Sequence, residues 1–175
     1  MSRKILTFLG ALAVVGVVAV ACRDDSLTLE EYLREVEATF SAFYADGDRL
    51  QDGVSAAAEQ AETEEEAVEA LRDFWASLNN LYRDAVADVA HLHPPPQAKE
   101  AHDEWLAVES EGVDLVDELN ARAQRATSVA ELLELNDEFE GPVATDLSER
   151  AYAACLDLQS IADENDIGAD LQCED

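Results

Sequence analysis

The three histidines of this 175-residue chain lie close together in the sequence. His91-Leu92-His93 and His102-Asp103-Glu104 flank Pro94-Pro95-Pro96, and Asp88 stands one helical turn before His91. A tight hairpin at the prolines brings three imidazoles and several carboxylates to one end of a helix pair, the ligand types of a zinc or copper site. Proline also excludes the residue before it from the α region, so His93 is held off any helix. Exposed histidines beside a hairpin are the commoner outcome of such a pattern. No metal and no other cofactor is therefore assigned, and His91, His93 and His102 stand as a cluster that geometry must decide. A second candidate is aromatic: Phe74, Trp75, Tyr82, Trp105 and Tyr152 suit either a bundle core or the wall of an interhelical ligand pocket. Phe74 and Trp75 are neighbours and cannot both face one way, so one of them belongs at the rim.

Other chemistry is sparse. The chain has no Glu-x-x-His pair of the di-iron bundles and no Cys-x-x-Cys-His for haem. It also lacks Gly-x-Ser-x-Gly and a phosphate loop. With 40 Asp and Glu residues, neighbouring carboxylates arise by chance and say nothing about hydrolysis. No catalytic residue is assigned, and no enzyme is expected. Asp163, Asn165, Gly168 and Glu174 resemble part of an EF-hand calcium loop. Ile167 stands where that loop needs an oxygen ligand, so the stretch reads as a helix C-terminus followed by a tail. The acidic run Glu62-Thr63-Glu64-Glu65-Glu66 suits a helix start, where the macrodipole favours negative charge. A basic partner protein or loosely held cations are its functional alternative.

The elements that position these residues are helical. Thr28 with Glu31 and Thr63 with Glu66 form capping boxes, and Ser128 with Glu131 repeats the pattern. After the first, Leu29, Leu33, Val36, Phe40, Phe43, Gly47, Leu50, Val54, Ala57 and Ala61 recur at steps of three and four, the spacing of a helix seam. Gly47 and Gly53 predict a kink or the close approach of another helix. After the second, Val68, Leu71, Trp75, Leu78, Tyr82, Ala85, Val89 and Leu92 continue the rhythm until the prolines stop it. A third helix is expected over 97–126, with Glu109-Ser110-Glu111-Gly112 its weakest stretch, and a fourth from Ser128 to about Phe139. Gly141-Pro142 is a stop and restart, after which Val143, Leu147, Ala151, Ala154, Leu158 and Ile161 form the last seam. No segment alternates as a strand does. The fold class is all-α, an antiparallel up-down bundle of about four long helices whose last is broken at Gly141-Pro142.

The N-terminus addresses the chain. Arg3 and Lys4 precede residues 5–21, which carry no charge, the order of a secretory signal. As a helix that run reaches about 26 Å, slightly short of the hydrocarbon core, so a retained anchor is a second reading. In either, the basic residues stay cytoplasmic and the rest crosses the membrane. Ala19-Val20-Ala21-Cys22 resembles the lipobox of bacterial lipoproteins. The resemblance covers residues 19–22 and implies that Cys22 is lipidated and becomes the N-terminus after residues 1–21 are removed. A plain signal-peptidase cut after Ala21 is the competing reading.

Cysteine arithmetic follows from that resemblance. The chain has three cysteines, and lipid on Cys22 leaves Cys155 and Cys173 to pair as a disulfide that pins the C-terminal tail. Buried free thiols are the alternative. The organisation is then a signal peptide over 1–21, a lipidated N-terminus and short tether over 22–27, and an acidic helical domain over 28–175. A formal charge of −29 excludes binding that rests on phosphate neutralisation, so no nucleic-acid partner is expected. The implied place is the extracellular or periplasmic face of a membrane. The expected function is a lipid-anchored interaction module with a possible protein partner, or else a helical bundle that binds a metal or small ligand.

Overall fold

The structure, a computed structural model, describes residues 27–173. Residues 5–21, Cys22 and Glu174 lie outside the described residues, and with them the signal, the lipidation site and the end of the EF-hand-like stretch. The described residues form α1 (Leu29–Gln60), α2 (Glu64–Ala90), α3 (Lys99–Ala123), α4 (Val129–Phe139) and α5 (Pro142–Glu164), with no strand among them. The fold is all-α.

Helices α1, α2 and α4 start at side-chain caps that the sequence supplies. Thr28 and Thr63 close complete capping boxes with Glu31 and Glu66. At α4 the Ser128 hydroxyl accepts from Glu131 N, while Glu131 Oε2 reaches one residue further back to Thr127 N at 2.6 Å. A cap of this kind stabilises a helix by about 1 kcal/mol. The prolines make a turn in which Ala98 N donates to Pro95 O at 2.9 Å, so α3 begins at Lys99, two residues later than expected. Pro142 occupies the first turn of α5, where its missing N–H costs no hydrogen bond.

Antiparallel neighbours follow from the short connections. Leu27 N donates to His93 O, Arg72 Nε to Ala126 O at 3.1 Å, and Arg150 forks onto Glu111 at 2.7 and 2.8 Å. These contacts join α1 to the end of α2, the start of α2 to the end of α3, and α3 to α5. Two cores result. Tyr32, Leu33, Val36 and Phe40 of α1 pack with Val89, Ala101, Trp105, Ala154, Leu158 and Leu171. At the other end Val68, Trp75, Leu119, Ala123, Leu132 and Leu135 bury one another. The break at Gly141-Pro142 is thus a division of labour: α4 caps the far end of α2 and α3, and α5 runs back along α3.

Two seam expectations fail. Beyond Phe43, α1 has no fully buried residue: Ala57 is exposed, and a Cβ on Gly47 or Gly53 would meet open space. Val143 on α5 is 63 % exposed. Leu50, Gly53, Val54 and Ala57 of α1 instead line an open groove beside Glu66, Ala70 and Phe74 of α2, and α1 and α5 scarcely touch. At the opposite end of the two helices the C-terminal tail lies between α1 and α5. Helix α5 ends with Asp166 at φ 55°, Asp166 N donating to Asp163 O and Ile167 N to Ala162 O, the pairing of a Schellman motif with Asp in place of the usual Gly. The stretch read as EF-hand-like is therefore a helix terminus.

From there the tail lies between the two helices. Arg34 Nη1 donates to Gly168 O at 2.7 Å, Asp170 N to Glu37 Oε1 at 3.1 Å and Gln172 Nε2 to Ser41 Oγ at 3.0 Å, all toward α1. On the α5 side, Leu171 N donates to Gln159 Oε1 at 2.9 Å, and Leu171 itself is fully buried. Cys155 and Cys173 form the expected disulfide, with Cα atoms 5.7 Å apart.

The bridge spans 18 positions, for which chain entropy gives a stabilisation of about 3 kcal/mol. Replacing both cysteines by serine is expected to lower the unfolding free energy in urea by about that amount. An unchanged midpoint would show that hydrogen bonds alone hold the tail.

Candidate functional site

The three histidines do not come together. His102 sits in the first turn of α3 on its inward face, 4 % exposed, where Nδ1 shares a 2.9 Å hydrogen bond with the Tyr32 hydroxyl. His91 caps α2 on the outside, with Nδ1 2.5 Å from Ala87 O, and His93 is exposed in the turn beyond it. Helix periodicity explains the separation: the turn that buries Ala101 carries His102 into the core and away from the other two. Among the described residues no group of three or more His, Cys, Asp or Glu is placed to hold a metal ion. The histidine hairpin is thereby corrected to one core histidine and two surface ones.

The gap between α1 and α5 contains a different candidate. Below the tail, the helices enclose a cavity of about 760 Å³. Phe40, Phe43 and Tyr44 form the α1 wall, and Tyr82, Ala85 and Val86 the α2 wall. From α3 come Trp105, Val108, Glu109 and Gly112, and Ala144, Leu147, Ala151 and Tyr152 of α5 close the fourth side. The disulfide bounds one end, and Phe139 and Glu140 the other. Tyr82, Trp105 and Tyr152 of the predicted aromatic set line it. Trp75 does not, being 2 % exposed in the second core against Phe139, and its neighbour Phe74 is half-buried at that core's rim.

One polar pair is set into this apolar wall. The Tyr82 hydroxyl donates to Glu109 Oε2. Gly112 makes room for it: a Cβ there would collide with the Tyr82 hydroxyl and lie 3.1 Å from its Cζ. Burial pushes the Glu109 carboxyl above the ordinary carboxylate range, and the Tyr82 hydrogen bond only partly offsets that. Burial, together with the adjacent Glu109, also raises the Tyr82 phenol. Among the described residues no arginine, lysine or histidine lines the cavity. Arg83, next to Tyr82, turns outward to Asp117 at 2.7 Å, and Arg150 is engaged by Glu111.

Reading the sequence missed Glu109 and Gly112, although their signal was present. Gly112 falls at seam spacing between Val108 and Leu115, so an apolar stripe is interrupted by a residue with no side chain. Such an interruption marks a close approach, here by Tyr82.

Removing the phenol in Tyr82→Phe leaves Glu109 without a donor and is expected to cost about 1–2 kcal/mol in urea unfolding. Glu109→Gln keeps the acceptor for Tyr82 and removes the charge. Because the folded state raises this acid above its ordinary 4.5, the wild type loses stability as pH climbs from 4.5 through the folded value. The variant should therefore match the wild type below about pH 4.5 and exceed it at neutral pH. A variant equally displaced at every pH would refute the carboxyl's role. For His102 the sign reverses, since burial lowers its pKa from 6.5. Its contribution is present above 6.5 and lost as pH falls below it, and an imidazole titration by NMR should place its midpoint under that value.

Comparisons with protein-family models, with curated proteins and with solved structures give no match to this chain.

Proposed function

We propose that this chain is an extracytoplasmic binding protein, tethered to a bacterial membrane through lipid on Cys22, whose helical domain holds a small apolar ligand between α1 and α5. The observation that carries the reading is the 760 Å³ cavity, a volume within the ordinary range for small-molecule sites. Its walls have the composition such sites use, mostly aromatic and aliphatic surface with a few polar groups, among them the Tyr82–Glu109 hydrogen-bonding pair. Binding rather than turnover fits these walls, because both lining cysteines are tied in the disulfide and no histidine is present to activate a nucleophile.

The location rests on the sequence, and the disulfide supports it. Arg3 and Lys4 before an apolar run, then Ala-Val-Ala-Cys, favour export and lipidation. A Cys155–Cys173 bridge persists in an oxidising compartment such as the periplasm or the cell surface. Among the described residues no helix is long and apolar enough to cross a membrane, so within this reading attachment falls to the N-terminus. The short stretch 22–27 then places the bundle close to the lipid surface.

Two measurements test the proposal. The mass of the chain recovered from its native membrane should show loss of residues 1–21 and added acyl mass, both absent in Cys22→Ser. Calorimetric titration of the membrane-attached protein in zwitterionic nanodiscs with 4-phenylbutanol, corrected for empty nanodiscs, should show saturable binding that Ala151→Trp abolishes by filling the cavity. Binding unchanged in that variant would move the site elsewhere.

A further inference from the structure

A generic apolar site does not explain Glu109, which is set among Phe43, Tyr82 and Trp105 in the cavity wall. A carboxyl in an aromatic wall is costly unless a partner compensates its charge. Its partner here is the neutral Tyr82 hydroxyl. The cations nearest in sequence to the lining residues are committed elsewhere, Arg83 to Asp117 and Arg150 to Glu111 and Asp146. The other charged groups at the cavity, Glu140 and Glu149, are also acids. Every ionisable lining side chain is therefore anionic or a phenol, within a chain of net charge −29.

We infer that the ligand is an apolar amine, whose ammonium pairs with the Glu109 carboxylate while its hydrocarbon or aromatic body lies among Phe43, Trp105 and Tyr152. This deepens the binding reading above and rests on it. The ammonium supplies the cation that the protein withholds from Glu109, and Tyr82 fixes the carboxylate by holding Oε2 and leaving Oε1 for the ligand. Aromatic faces around the site add attraction for a desolvated cation. The same wall rejects fatty acids and other apolar anions, which would bring a second negative charge beside Glu109. At longer range the chain's charge concentrates cations and disperses anions before they reach the opening.

Three probes of one shape separate the terms: 4-phenylbutylamine, 4-phenylbutanol and 4-phenylbutanoate, titrated calorimetrically into the membrane-attached protein in zwitterionic nanodiscs. The amine is expected to bind about tenfold or more tightly than the alcohol, with the carboxylate weakest. Glu109→Gln should bring the amine to the level of the alcohol measured in the same variant. Equal binding of amine and alcohol by the wild type would overturn the inference while leaving the cavity reading intact. An amine preference that survives Glu109→Gln would also overturn it, by assigning the preference to overall charge. Failure of all three probes would overturn the cavity reading itself. Raising the salt concentration gives an independent check, because a pair inside the cavity is screened far less than attraction to the surface.

Discussion

The distance between α1 and α5 governs this structure, and the C-terminal tail sets it. In a closed four-helix bundle those two helices would complete the ring by packing on each other. Here Leu171 is buried between them, flanked by hydrogen bonds to Arg34, Glu37 and Ser41 on one side and Gln159 on the other. The Cys155–Cys173 bridge fixes the wedge to α5. Interposing a strand of tail holds the helices apart, and the side chains that would have met below it line a cavity instead. The half of α5 before Ala154 has no fully buried residue for the same reason.

Much of this fold was legible because its signals are local. The capping residues Thr28, Thr63 and Ser128 announce three helix starts, the prolines end α2, and Gly141-Pro142 marks the corner before α5. What the periodicity could not carry was whether a partner exists for each seam. Leu50, Val54 and Ala57 repeat as faithfully as Leu33, Val36 and Phe40, yet only the earlier set is buried. Burial depends on how closely a neighbouring helix approaches, which is a long-range fact. His102 shows the same limit, since a histidine beside two others in sequence belongs to another face once α3 turns.

The site was least legible where the local pattern was weakest. Glu109-Ser110-Glu111-Gly112 argues against a helix by propensity, with glycine costing about 1 kcal/mol relative to alanine in a helix interior. The stretch is nevertheless continuous α-helix. Conflict between local preference and the final structure is expected where function is placed, because a site needs groups that a core would exclude. Gly112 gives up helix propensity to admit the Tyr82 ring, and Glu109 gives up hydration to present a carboxyl to an apolar space.

Under the proposed binding reading, those two concessions would tie stability to occupancy. A cavity and a partly desolvated acid both lower the free energy of folding, and a ligand that fills the one and pairs with the other restores it by mass action. The elements that face the cavity are α5 before Ala154 and α1 around Phe43, whose lining residues are partly buried or exposed apart from Phe40. Local opening falls on segments of this kind, with few buried apolar contacts. Under the same proposal, the open side of the bundle would be both the route into the site and the part that a ligand orders. Leu171 of the tail and Cys155 of the disulfide belong to the core around Tyr32 and Leu158, which lies away from that opening.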